Sequence, residues 1–269
     1  MQESSEYWRH PRFRDLGLLK ARFTRHRYDR HTHETYVIAL ITEGCERIRI
    51  GNRDVLAPAG TVAVVNPEEW HDGEAGAESG WAYRTFYPAA ALMQQVAGEL
   101  GQAQAPLFRP EIIEDAALAR ALATAHADAG GDDAIKAEQS MLAAFRHLIL
   151  GHAGAEAGKA RNVSGSERRM ALYEEIIEDE LATELELQRF AEAAGVTRFQ
   201  VIRDFRKIAG VTPASFIRDR RMRRADRLIR EGSSLADAAF EAGFADQSHL
   251  SRTFRAMHGM TPGMFKRAG

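Results

Sequence analysis

Arg203 and Arg206 stand three residues apart near the end of the chain, and the same pair recurs 49 residues later as Arg252 and Arg255. A guanidinium presents a planar fork of donors that can grip the edge of guanine, or a phosphate, with two hydrogen bonds. Phe199 and Ile202 accompany the first pair, and Ser248 and Ser251 accompany the second. Hydroxyls suit bases or phosphates, and apolar groups suit the methyl of thymine. At 3.6 residues per turn, each set falls on one side of a helix. The opposite side is apolar in both: Val201, Phe205 and Ile208 in residues 197–208, then Leu250, Phe254 and Met257. A hydrophobic back with a cationic front is what a recognition helix in the major groove requires. Two plainer roles stay open: Phe199 and Ile202 packing on a neighbouring domain, and Arg203 and Arg252 in surface salt bridges. Arg198, Gln200, Gln247 and His249 flank these faces, within reach of bases or phosphates or simply solvated.

These helices belong to a repeat. Leu187, Ala191, Gly195, Phe205, Gly210 and Thr212-Pro213 return as Leu235, Ala239, Gly243, Phe254, Gly259 and Thr261-Pro262. The offset is 48 residues before the turn and 49 after it, so the second copy gains one residue near Phe244-Ala245. Each copy predicts a short helix, a glycine turn taken with positive φ, a second helix and a Thr-Pro stop, the helix-turn-helix pattern. The units span about 187–208 and 235–257. Between them, residues 214–230 predict a helix of roughly 25 Å, with Met222, Ala225 and Ile229 as its inner stripe. Such a rod could space two recognition helices one turn of DNA apart, roughly 34 Å. Its seven arginines suit phosphates, or a wet face.

The net charge of −2 conceals a division. Residues 187–269 hold 16 Lys+Arg against 8 Asp+Glu, or +8, and residues 1–186 hold 20 against 30, or −10. The basic part points to a polyanion and the acidic part to another task. With 269 residues, 45% of them hydrophobic and 28% charged, the chain can fold as two globular domains. No apolar run is long enough to span a membrane. The opening MQESSEYWRH does not fit a secretory signal. Cys45 is the sole cysteine, so no internal disulfide forms and a reducing cytoplasm is expected. Cys45 itself is a small strand residue or a reactive thiol.

Residues 35–42, 46–50, 61–65 and 81–87 predict strands, punctuated by Gly51-Asn52, Pro58-Ala59-Gly60 and Asn66-Pro67, as in a small antiparallel barrel or sandwich. Beyond Pro88, helices are expected at 89–99, 114–129 and 133–152, the last with Met141, Phe145, Leu148 and Ile149 at helical spacing. Residues 153–165 have little to bury and suggest a flexible linker, and helix follows from Ser166 onward.

Residues 168–269 resemble the AraC/XylS family of bacterial transcription regulators. The resemblance rests on Leu187-x-x-x-Ala191, Phe205-Arg206, Gly210-Val211-Thr212-Pro213, Arg221-x-x-x-Ala225 and Leu228-Ile229. It continues through Gly243-Phe244-x-Asp246-Gln247-Ser248-His249-Leu250-x-Arg252-x-Phe254 and closes on Gly259-x-Thr261-Pro262. The family's base-reading positions fall on Phe199, Ile202 and Arg203, then on Ser248, His249, Ser251 and Arg252; as a base reader, His249 is added by the resemblance alone. The N-terminal half resembles the cupin-type, AraC-type arabinose-binding-like sensor domain through His31-x-His33, Gly44, Pro58-x-Gly60, Pro67 and His71. Metal-binding cupins add a Glu to three such histidines, but that zone holds Val37 and Ile38, and Glu34 is too near His33. Three imidazoles and a water can still hold zinc; structural or effector-binding histidines are the other reading, and no cofactor is expected.

The resemblance implies an α+β two-domain chain. Residues 1–152 form a small cupin-like β-barrel with packed helices, 153–166 a flexible linker, and 167–269 an all-α tandem helix-turn-helix domain. It implies an effector-responsive transcription activator, not an enzyme, whose partners are double-stranded promoter DNA, a small molecule, a second copy docked through helix 133–152, and RNA polymerase if it activates. Effector candidates on or beside the strands are His31, His33, Tyr36, Arg47, Arg49, His71, Tyr83 and Arg84. Arg47 and Arg49 share a face, so both line the pocket or neither does, and inside it they would favour an acidic effector. Two other readings are a cupin-type metal-dependent enzyme fused to a DNA-binding domain, and a constitutive DNA-binding protein whose barrel only dimerises.

Overall fold

The computed structural model describes residues 3–109, 111–154 and 164–268. They fall into two compact units, the second comprising the residues from 164 to 266 together with 29–31.

The first unit is organised by one long strand. β4 (Val37–Ile50) pairs through its first half with β6 (Val62–Val65) and β8 (Trp81–Pro88), and through its second with β5 (Arg53–Pro58) and β7 (His71–Ala75). The change of partners falls at Gly44, whose φ is 67° and where any Cβ would overlap the Gly80 carbonyl. A residue without a Cβ lets the strand bend there without ending. The sequence pattern breaks at the same place, which is why it suggests two strands where the structure has one. Beyond β8 the sheet continues to β2 (Leu16–Phe23) and β1 (Ser4–Arg9); beyond β6 it ends on β10 (Ile112–Ile113), and β3 (Arg27–His31) joins through β7. The expected small barrel is present in loose form, its sheet not closed. Closure requires the two terminal strands to pair, whereas β1 and β10 end an open path.

Alternation along these strands separates two layers. Leu16, Leu18, Ile38, Leu40, Val62, Val64 and Phe86 point to one face, against α1 (Ala90–Glu99), α2 (Ala116–Asp128) and α3 (Ala134–His152). Met93, Leu118, Leu122, Met141, Phe145 and Leu148 meet them, all fully buried. Each such side chain contributes roughly 1.5–3 kcal/mol by leaving water. Asp115 and Asp133 cap α2 and α3 by accepting from two backbone amides each. Of the expected linker, residues 153–154 form β11, paired with β9 (Leu107–Phe108), residues 155–163 lie outside the described residues, and Ser164 caps the next helix.

The second unit is helical: α4 (Gly165–Glu180), α5 (Leu187–Ala194), α6 (Arg198–Ile208), α7 (Pro213–Arg230), α8 (Leu235–Glu241), α9 (Gln247–His258) and α10 (Pro262–Arg267). Thr197, Thr212, Ser234 and Asp246 cap α6 to α9 with their side-chain oxygens. Gly195 ends α5 and Gly259 ends α9 in left-handed conformation, at φ 63° and 66°. Tyr173, Phe190, Phe205 and Phe216 build an aromatic core through ring contacts of 5.3–6.1 Å between centroids. Ile208 is corrected. It is 40% exposed rather than part of the buried stripe, because it is the last residue of α6 and no further turn covers it.

Candidate nucleic-acid interface and effector site

α6 and α9 occupy equivalent places, each the second helix of its unit, seated by a fully buried back: Val201 and Phe205 in one, Leu250 and Phe254 in the other. Arg198, Arg203 and Arg206 are exposed on α6, as are Gln247, Ser248, Arg252 and Arg255 on α9; Ile202, His249 and Ser251 are half-buried. Phe199 is 78% exposed, so it packs on nothing within its unit. Ile202, Arg206 and His249 line one cleft of about 970 Å³, floored by Ile217 and Arg221 of α7. Both second helices thus open onto the same depression.

Gln200 is placed differently from its neighbours. Its Nε2 donates to Asp204 Oδ1 at 2.9 Å, which turns the amide back toward the helix's own buried side. Asp204 is fully buried and also receives Arg169 Nε and Nη2 at 2.7 and 2.9 Å and the Tyr173 hydroxyl at 3.3 Å. Burial pushes its carboxyl up, but donors from Arg169, Gln200 and Ser166 outweigh that and hold it at about 2. This network anchors α6 to α4. Several arginines of α7 are likewise occupied internally. Arg221 donates to the carbonyls of Leu181 and Thr183, Arg220 lies over the Phe216 ring, and Arg223 pairs with Asp219.

In the first unit the structure sorts the effector candidates by face. Tyr83 points away from the helices, toward the inside of the bent sheet, where its hydroxyl bonds that of Tyr28 and its ring stacks on Trp81 at 6.3 Å. His33 and His71 meet there too, ring centroids 5.1 Å apart, with Tyr87 5.5 Å from His33. His31 closes β3 in the short segment that belongs to the second unit, its Nδ1 2.6 Å from the Asp29 carbonyl oxygen. Tyr36 lies in the other layer, its hydroxyl donating to the Pro106 carbonyl at 2.7 Å, and Arg84 reaches the Ala123 carbonyl of α2. Arg47 and Arg49 point outward into a shallow charged site with Arg27, Asp54, Asp72 and Glu74, so the reason to expect an acidic effector falls away.

The inward partner on that stretch of β4 is Glu46. Buried with Ile48 and Ile50, it is pushed up to about 8 by loss of water. Tyr28 and Tyr83 are raised well above the usual phenol range by the same cause. The indole nitrogen of Trp81 is buried with no hydrogen-bond partner among the described residues. The alternation of Glu46, Ile48 and Ile50 already placed the carboxylate on the apolar side.

Comparison with known proteins agrees with this layout. Residues 15–148 match the model of the AraC-like ligand binding domain and residues 190–268 that of a helix-turn-helix domain. The chain belongs to the AraC family of transcription regulators. It is 25% identical over 226 residues to the uncharacterized HTH-type transcriptional regulator YbfI of Bacillus subtilis, covering 83% of this chain and 82% of that one. To the transcriptional activator RhaS of Escherichia coli it is 29% identical over 102 residues, 38% and 37% of the two chains. Among solved structures, ToxT from Vibrio cholerae with bound unsaturated fatty acid superposes with a TM-score of 0.50 at 12% identity, over 98% of this chain and 94% of that one. As an AraC-family regulator, the chain pairs a DNA-binding helix-turn-helix region with a ligand-binding domain. No helix among the described residues is long and apolar enough to cross a membrane.

Proposed function

We propose that α6 and α9 read promoter DNA in successive major grooves, with Arg203 and Arg252 on bases and Arg198, Arg206 and Arg255 on bases or phosphates. The matched exposed faces of the two helices, opening onto one cleft, carry this reading. Footprinting on the regulated promoter should show two protected patches about one helical turn apart; a single short patch would refute the paired arrangement.

The effector seat in this reading is the inner face of the bent sheet, around Glu46, Tyr28, Tyr83 and the His33–His71 pair. Buried polar groups are costly in a purely structural core, and this cluster gathers several between apolar strands. A ligand that stacks on aromatic rings and bonds to hydroxyl and carboxyl groups fits it. Neutral Glu46 and the tyrosines can each donate as well as accept. The ToxT structure with bound fatty acid supports a small-molecule effector in general. A thermal-shift screen tests this, since a specific ligand must raise the melting temperature of the native chain and lose that effect in Tyr83→Phe. We further propose a homodimer through α3, supported by its exposed Ile135 and Leu150, and recruitment of RNA polymerase in the cytoplasm, supported by the likeness to an activator.

A further inference from the structure

Where the start of α2 meets the end of α3, two imidazoles converge on one carboxylate. His147 Nε2 and His152 Nε2 each lie 3.0 Å from Asp115 Oδ2, and the two rings stack nearly parallel, 8° apart with centroids at 6.5 Å. One donor atom from each of the three residues lies within 4.8 Å of the others. All three side chains are 22–36% exposed, so the group is reachable from solvent.

We infer that Asp115, His147 and His152 form a binding site for a divalent transition ion, zinc foremost. Two imidazole nitrogens and a carboxylate oxygen are a donor set zinc accepts, with water completing a tetrahedron. Ligands at about 2.1 Å around a tetrahedral ion stand roughly 3.4 Å apart; the two His–Asp separations of 3.0 Å differ from this by fractions of an ångström, and the imidazole nitrogens lie within 4.8 Å of each other. The carboxylate is pre-oriented: its other oxygen, Oδ1, accepts from the amides of Ala117 and Leu118 at 2.9 and 3.0 Å. That leaves Oδ2 as a single, fixed ligand. The positive end of α2 opposes a cation, but His152 is the last residue of α3, whose C-terminal carbonyls favour one. Neither DNA contact nor the effector seat uses these residues. An ion here would clamp the start of α2 to the end of α3.

The test titrates zinc into chelator-treated full-length protein against a chromophoric competitor, with thermal melting in parallel. Wild-type protein should take up one zinc equivalent that His147→Ala/His152→Ala loses, affinity falling more than about 100-fold, beyond what removal of an outer-shell partner costs. The equivalent and its accompanying rise in melting temperature should persist in His33→Ala/His71→Ala, which disables the other imidazole cluster. Asp115 is left intact because it caps α2 and its loss would destabilise the helix start. Circular dichroism of the double variant checks that it remains folded. Absence of a stoichiometric equivalent in wild-type protein, or its survival in the folded His147/His152 variant, would overturn the site.

Discussion

Arg169 closes a two-pronged ion pair on Asp204, Nε and Nη2 meeting separate carboxylate oxygens, and so fastens α4 to the buried side of the helix whose other side faces outward with Phe199 and Arg203. Breaking a buried pair by removing one partner strands the other charge, at about 3–5 kcal/mol. Arg169→Met should therefore lower the unfolding free energy by roughly 3 kcal/mol in urea melts. The pH dependence has a definite sign. The folded pKa of Asp204 is about 2, below the unfolded value near 3.9, so its contribution is complete above pH ~4 and is lost as pH falls toward 2. Wild-type protein should lose stability across that interval more steeply than Asp204→Asn.

Gln200 separates two roles that sequence position alone leaves joined. Its amide donates to Asp204, so Gln200→Ala should cost about 1 kcal/mol of stability while leaving base preference in a binding-site selection unaltered. A changed preference at any base pair would show that the amide swings outward on DNA.

How far the sequence alone reaches follows from its periodicities. The helices of the second unit were legible because their apolar stripes repeat at 3.6 residues and a second copy 48–49 residues on checks each reading. Gly195 and Gly259 mark helix ends in the sequence and adopt positive φ in the structure. The first unit was legible only in part. β2 (LGLLKARF) is buried on both faces, so it shows no alternation, and β7 (HDGEA) carries almost no apolar residue because its inward positions are His71, Gly73 and Ala75. A Cβ at Gly73 would meet the Glu46 carboxylate, so a larger residue there would displace that side chain. The face on which Arg47 lies was legible, since Arg47 and Arg49 alternate with Ile48 and Ile50, which claim the apolar side. The Asp115 cluster escaped for a different reason: its members are 32 and 37 residues apart and meet only once α2 and α3 pack.

On DNA, Arg203→Ala and Arg252→Ala should each weaken specific binding by about 1–3 kcal/mol and relax specificity at one base pair, in half-sites one turn apart. Arg206→Ala or Arg255→Ala, if on phosphate, should instead lower affinity evenly across sequences and reduce the salt-dependence slope by about one. Gel-shift titrations at several salt concentrations distinguish the two patterns. Promoter affinity unchanged in both Arg203→Ala and Arg252→Ala would remove α6 and α9 from the interface.

Glu46 gives the first unit a pH dependence opposite to that of Asp204. Its folded pKa is about 8 and a free glutamate titrates near 4.3, so between those values the native state holds a proton that the unfolded chain has lost. Stability is therefore greatest below pH ~4 as far as this group is concerned, and declines as pH rises toward 8. At about 1.4 kcal/mol per pH unit the whole window is worth up to roughly 5 kcal/mol. Glu46→Gln keeps the shape of the neutral acid and cannot ionise. Its melting temperature should stay level between pH 5 and 9 where that of the wild-type chain falls, and at pH 8 the variant should be the more stable. If an effector accepts a hydrogen bond from the protonated carboxyl, its affinity should fall above pH 8 in wild-type protein and remain constant in the variant. Parallel melting curves for the two proteins across this range would mean that Glu46 ionises freely, and the proposed effector seat would then be wet rather than closed.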